Sequence, residues 1–248
     1  MRRGGDGPDI PAGYRLWRPG DGDLPAPRLS NAAYHGPIGD LLRLVKPETE
    51  AHQAAVGAIL LTKLGTIIGR RATVHIGEIY HHANLFTLMV GETSTGAKGS
   101  ADGVVDRFMQ DVDVTFYERH VVSGFGSGES LIDTFRDVSD AERGKGVLPR
   151  EKRLVIDEAE FSRVLRVAHK EGSILGQVVR QGFDYKPIQH RTKTHGAIIA
   201  TGHHLSVVGS ITPRELVACI SDLDIDNGLL NRFLFIHSEM GQLLPFGG

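Results

Sequence analysis

Short apolar runs that alternate with helical patterns set the tightest limit on what this chain can fold into. The runs are "NLFTLMV" (84–90), "HVVSG" (120–124), "RLVIDEAEF" (153–161), "HGAIIAT" (195–201), "HLSVVGS" (204–210) and "RFLFIHS" (232–238). Helical spacing fills 38–70 ("IGDLLRLV", then "AAVGAILLTKLGTIIG"), "GSADGVVDRFMQDV", "ESLIDTFRDV", the stretch up to about residue 182, and "PRELVACISDL". Strands that take turns with helices predict a mainly parallel sheet covered on both faces. Residues 139–152 read as a polar loop. Residues 1–30 are rich in Gly, Pro and charge without periodicity, and read as a flexible linker or tail.

Between the strand at 84–90 and its helix lies "VGETSTGAKGS". A Gly-rich loop joining a strand to a helix N-terminus gathers backbone N–H groups around phosphates. The pattern here is Gly91, Glu92, Thr93, Ser94, Thr95, Gly96, Ala97, Lys98, Gly99, Ser100. The standard loop has Lys directly after the second Gly and Ser or Thr directly after Lys; this chain inserts Ala97 and Gly99. Lys98 is the candidate for the outer phosphates, and Ser100 or Thr95 for Mg²⁺. A plain structural turn is the competing reading.

"LVIDE" is an apolar strand that ends in two acids. In phosphate-loop ATPases the first acid positions Mg²⁺ and the second orients or activates water, which assigns Asp157 and Glu158. "HLSVVGSIT" ends in Ser210 and Thr212, where a hydroxyl can meet the γ-phosphate or the attacking water; an ordinary strand end is the alternative. Arg232 sits between a helix and the last strand, a position from which an arginine can act on a neighbouring subunit's nucleotide in ring ATPases. Its alternative is a surface arginine. In "YKPIQHRTKTHG", Lys186, Arg191 and Lys193, with His190 and His195, interleave with Tyr185, a pattern suited to a single-strand backbone and a stacked base. A solvated hairpin is the alternative.

Taken in order, "NLFTLMVGETSTGAKGS", "VVSGFGSGESLI", "KRLVIDEAEFSRVLRV", "HLSVVGSITPREL" and "NGLLNRFLFI" resemble the P-loop ATPase/helicase-like domain of phage, plasmid and mobile-element replication proteins. The resemblance covers roughly residues 30–248, and that family commonly carries the same irregular phosphate loop. It implies a P-loop NTPase of the RecA/AAA+ type, an α/β three-layer sandwich with a mainly parallel central sheet, over 31–248 with an N-terminal helical segment at 31–83. It implies ATP and Mg²⁺ as cofactors, ATP hydrolysis with Lys98, Asp157, Glu158, Ser210 and Arg232 as catalytic groups, and Mg²⁺ on Ser100 and Asp157. Single-stranded DNA, a primase-polymerase domain or protein, and a homo-oligomeric ring are the implied partners. Larger relatives have a primase domain ahead and continue past the last strand, so a fragment, a split gene or a remnant without a C-terminal helical lid is expected. The rival readings are a non-catalytic DNA-binding or assembly module with a degenerate nucleotide site, and a small-molecule kinase.

Other signals narrow the field. The 28 basic and 30 acidic residues give a net charge of −2, so a nucleic-acid surface must be local. Cys219 is the only cysteine, which excludes an intramolecular disulfide and a multi-cysteine zinc site. No stretch reaches the ~18 apolar residues of a membrane span, and no secretory signal begins the chain, so a soluble cytoplasmic protein is expected. "GFGSGES" (124–130) lacks a lysine and reads as a tight loop near the nucleotide or DNA. "DLDIDNG" fails as a calcium loop because its twelfth position is Phe233. His81–His82 and His203–His204 are adjacent pairs whose side chains diverge on strands.

Overall fold

The computed structural model describes residues 29–92, 98–192 and 196–244. In chain order its elements are α1 (Gly36–Val45), α2 (Gln53–Ile68), β1 (Thr73–Ile76), β2 (Ile79–His82), β3 (Phe86–Val90), α3 (Lys98–His120), β4 (Val121–Val122), α4 (Gly128–Phe135), α5 (Asp140–Arg143), β5 (Arg153–Glu158), α6 (Phe161–Ala168), α7 (Leu175–Phe183), β6 (Ile188–Thr192), β7 (Gly196–Ala200), β8 (His204–Ile211), α8 (Pro213–Cys219), α9 (Asp222–Asp226) and β9 (Phe233–His237). Five strands form one sheet in the order β4–β5–β8–β3–β9, and every neighbouring pair is parallel. Helices cover both faces, which makes a three-layer α/β arrangement. No helix among the described residues is long and apolar enough to cross a membrane.

The strand period of two sorts side chains between the layers. Phe86 and Leu88 of β3, Leu154 and Ile156 of β5, and Leu205 and Val207 of β8 pack with α4, α6 and α7. Met89, Val155 and Val208 point the other way, into a second core with α2 and α3. The N-terminal helical segment is therefore part of the same packed body as the sheet. Helix α2 is buried on nearly every side, and its two threonines are satisfied inside the core: the Thr62 hydroxyl donates to Ala58 O at 2.7 Å, and the Thr66 hydroxyl donates to Thr62 O at 2.8 Å and lies 2.6 Å from Ser206 Oγ. Helix α3 breaks at Asp113, whose carboxylate accepts from the Phe116 N–H at 2.9 Å and so caps the second half.

The sequence expectations differ from this structure in several places, among them the helix expected over 213–223, which ends at the extended Ile220 and restarts as α9 behind a Ser221 capping box. "HGAIIAT" is a strand, but β7 pairs antiparallel with β6 and stands outside the main sheet. Residues 73–82, expected within the N-terminal helical segment at 31–83, instead form the antiparallel hairpin β1–β2; its residues are exposed save the part-buried His82, so no apolar period marks them as strands. The polar loop at 139–152 contains α5, which Ser139 and Glu142 nucleate with a reciprocal capping box.

The connections define a crevice. From β3, the chain crosses by α3 on one face to β4; from β8, it crosses by α8 and α9 on the other face to β9. The two crossovers leave the neighbouring strands β3 and β8 in opposite directions, and their carboxyl ends therefore stay uncovered, as at the switch points where α/β sheets bind ligands.

Buried histidines at the opposite edge give a pH prediction. His203 and His204 are fully buried, and burial, followed by Arg70 beside His203 and by His82 beside His204, pushes each down to about 4. An unfolded histidine titrates near 6.5, so stability is complete above that value and is lost as pH falls through the folded value. Asp157, raised to about 6, acts with the opposite sign over part of this window. The net loss between pH 7 and 4.5 is expected to be about 3 kcal/mol. Urea unfolding at the two pH values measures it, and equal midpoints would contradict it.

Candidate functional site

The site is built at the carboxyl edge. Gly91 follows β3, and a Cβ there would lie 2.0 Å from Ser238 O, so the start of the Gly-rich segment requires a residue without a side chain. Residues 93–97, which include Thr93, Ser94, Thr95, Gly96 and Ala97, lie outside the described residues, as does the side chain of Lys98. Glu92, Gly99 and Ser100 are exposed, with Lys98, Gly99 and Ser100 forming the first turn of α3.

Asp157 and Glu158 are neighbours in sequence but point to opposite faces of β5. Asp157 shares the α2/α3 face with Val155. There it meets a residue that sequence reasoning missed. Lys63 of α2 is 0% exposed, and its Nζ lies 2.7 Å from Asp157 Oδ2, 2.8 Å from Asp102 Oδ1 and 2.5 Å from Asp106 Oδ1. Burial alone would lower the Lys63 pKa; Asp157, Asp102 and Asp106 more than offset this and hold it well above the ordinary lysine value. Asp157 is pushed up to about 6, first by burial and then by the repulsion of Asp102 and Asp106, with Lys63 acting against both. Tyr117 closes the cluster, its ring centroid 5.8 Å from the ammonium; burial and the hydrogen bond to Asp106 raise its pKa. Two signals could have pointed to it: Lys63 is the single charged residue of α2, and two acids stand four residues apart at the start of α3, a spacing that puts them on one face.

One oxygen each from Asp102, Asp106 and Asp157 lies within 4.8 Å of the others. Carboxylate oxygens are the donors Mg²⁺ prefers, so the chemistry of this set fits that ion, although here the three share one ammonium. Ser210 faces the same side as Asp157, because it follows Ser206 and Val208 at the strand period; it pairs in register with Met89 at the end of β3.

Glu158 is 4% exposed on the opposite face. Its Oε1 accepts from the N–H groups of Gly124 at 2.6 Å and Phe125 at 3.0 Å, and its Oε2 lies 3.2 Å from Arg163 Nη2. The loop "GFGSGES" is thus the anchor of Glu158.

The remaining candidates fall elsewhere. Arg232 precedes β9 at the amino edge of the sheet. Its Nε and Nη2 donate to Asp184 at 3.0 and 2.7 Å, and its Nη1 donates to Gly228 O at 2.6 Å. No contact among the described residues brings it to the carboxyl edge. Lys186 and Arg191 are exposed beside and on β6, while Lys193 and His195 lie outside the described residues. Tyr185 has a φ of +56° and is half-buried, its ring 4.4 Å from His82 and 5.2 Å from the Arg70 guanidinium. Thr212 caps α8 in a box with Glu215.

The chain matches no family model, and no curated protein matches it.

Proposed function

We propose that this chain binds ATP and Mg²⁺ at the carboxyl edge of its sheet and hydrolyses the nucleotide, as a helicase-like P-loop ATPase acting on single-stranded DNA in the replication of a phage, plasmid or other mobile element. One observation carries the reading. The strand before the Gly–Lys loop, the acid-ended strand β5 and the hydroxyl-ended strand β8 all end at one crevice, and Asp157 and Ser210 share the face on which the loop's helix α3 lies. Lys98 and the loop amides would neutralise the phosphates. Ser100 and Asp157 would hold Mg²⁺, which supplies charge neutralisation at the outer phosphates. Glu158 would polarise water once its bonds to Gly124, Phe125 and Arg163 open. Lys186 and Arg191 offer exposed cations to a phosphodiester backbone.

Two ties favour the rival reading of a non-catalytic DNA-binding or assembly module: Asp157 is engaged by Lys63, and Glu158 by the 124–125 amides. Equilibrium binding of ATP with and without Mg²⁺, compared between the wild type and Lys98→Ala, tests the nucleotide site. A loss of at least about tenfold in affinity is expected, since a charge-assisted phosphate contact is removed. Unchanged affinity in Lys98→Ala would reduce the loop to a turn.

A further inference from the structure

Beside the end of β3 lies a cavity of about 290 Å³, walled by the start of α2 and by the segment after β9. The two walls are stitched together. The Gly241 N–H donates to Glu50 O at 2.8 Å, the Gln242 side-chain amide donates to Lys46 O at 2.6 Å and Thr49 O at 3.0 Å, and the Leu244 N–H donates to Glu50 Oε1 at 2.8 Å. Even Thr49 is used, its hydroxyl accepting from the Ala51 N–H at 3.1 Å. One polar side chain on this lining stands apart. Gln53, the first residue of α2, is 9% exposed, and neither its Nε2 nor its Oε1 has a hydrogen-bond partner among the described residues. A buried primary amide without partners is costly, and this one lies where neighbouring amides are satisfied.

The cavity adjoins the end of β3 and Gly91, where the Gly-rich segment begins. The Ser238 N–H donates to Val90 O at 2.8 Å at the end of β3, Gly91 packs on Ser238, and Glu239, the next residue, lines the cavity. Tyr34, His52 and Met240 add broad, weakly polar surfaces to the same wall. A carboxamide presents a donor and an acceptor side by side, which matches the 6-amino group and the adjacent ring nitrogen of adenine. Flat rings stack on aromatic side chains irrespective of sequence.

We infer that this cavity is the nucleobase pocket of the chain, and that Gln53 selects adenine there by pairing with its amino edge. The inference rests on the proposed nucleotide site for its choice of base, but not on hydrolysis. The pocket would hold the base on the β9 side of the phosphate loop, away from Asp157 and Glu158, so the reacting phosphates would lie towards β8.

Nucleoside binding by the full chain tests it, with adenosine, purine riboside (which lacks the 6-amino group), guanosine and ATP as probes. Adenosine is expected to bind about tenfold or more tightly than purine riboside or guanosine. Gln53→Leu should erase that preference without lowering the melting temperature of the free protein, because it removes an unpartnered buried amide. Gln53→Glu, which replaces the donor by a second acceptor, should erase it too and serves if the leucine variant misfolds. Equal affinities for the three nucleosides, or a preference that survives both variants, would overturn the assignment. If ATP binds through Lys98 with no base preference, the pocket is wrong and the ATPase reading survives. If adenosine is selected through Gln53 but ATP binds no better than adenosine, the pocket stands and the phosphate site falls. Absence of binding by every probe overturns the pocket.

Discussion

Lys63→Met is expected to lower the stability of this protein by roughly 3–5 kcal/mol, the usual cost of leaving a buried charge without its partner. The substitution preserves much of the side-chain volume and removes only the ammonium. What remains is Asp102, Asp106 and Asp157 around an apolar group, with oxygens within 4.8 Å of one another. Asp157 already titrates at about 6 with Lys63 present; without the ammonium its carboxyl would hold a proton to still higher pH. A raised carboxyl pKa means that the folded state takes up protons more readily than the unfolded one, so the deficit of the variant should shrink as pH falls through and below 6. Urea unfolding of both proteins at pH 8 and pH 5.5 reads this out. A deficit below about 0.5 kcal/mol at pH 8 would show that the cluster contributes little to stability.

Glu158→Gln should lower ATP turnover by about 10²–10⁴, the range for loss of a general base, with ATP affinity held within about twofold. The reasoning starts from its place on β5. The strand period points Glu158 away from Asp157 and α3, so it shares no contact with the residues proposed to hold Mg²⁺. The glutamine side chain can still accept from the Gly124 and Phe125 N–H groups, which now meet Oε1 at 2.6 and 3.0 Å, and so the loop stays in place. Only the anionic charge and its pairing with Arg163 are lost. Arg163→Ala provides the complementary variant: it loosens the tie on Glu158 without touching the carboxylate, and turnover should hold or rise. Equal turnover in Glu158→Gln and the wild type would leave Glu158 as an anchor for the 124–125 loop and nothing more.

How much of this was legible beforehand depends on how each feature is encoded. Strands β3, β5 and β8 lie at the sheet centre, largely buried on both faces, and appear as continuous apolar runs; β9 is an apolar run as well, although it is the edge strand and leaves Leu234 and Phe235 exposed. The acid pair at the end of β5 was evident as a pair; that its members face opposite layers follows from the period of two. Lys63 was hidden because a lone lysine in an apolar helix is compatible with a charge that reaches solvent, and only the tertiary arrangement of α2, α3 and β5 closes three carboxylates around it. Asp102 and Asp106 carry a helical spacing but no loop motif. The β1–β2 hairpin escaped because its exposed residues are free of any burial period. Arg232 was singled out by its place before the last strand, and its pairing with Asp184 depends on residues 48 positions apart that no local pattern joins. Gln53 shows no sequence signature, since an amide at a helix start is ordinary until its surroundings are known.

Hydrolysis of ATP is proposed for the crevice at the ends of β3, β5 and β8. Phosphate release by the full chain, with Mg²⁺ and with or without single-stranded DNA, tests it most directly when wild type, Lys98→Ala and Glu158→Gln are run together. Mg²⁺-dependent release by the wild type is expected, with loss of it in both variants and ATP still bound, of the two, by Glu158→Gln alone. Release that is absent from the wild type under every condition, or that persists undiminished in Lys98→Ala, would contradict it.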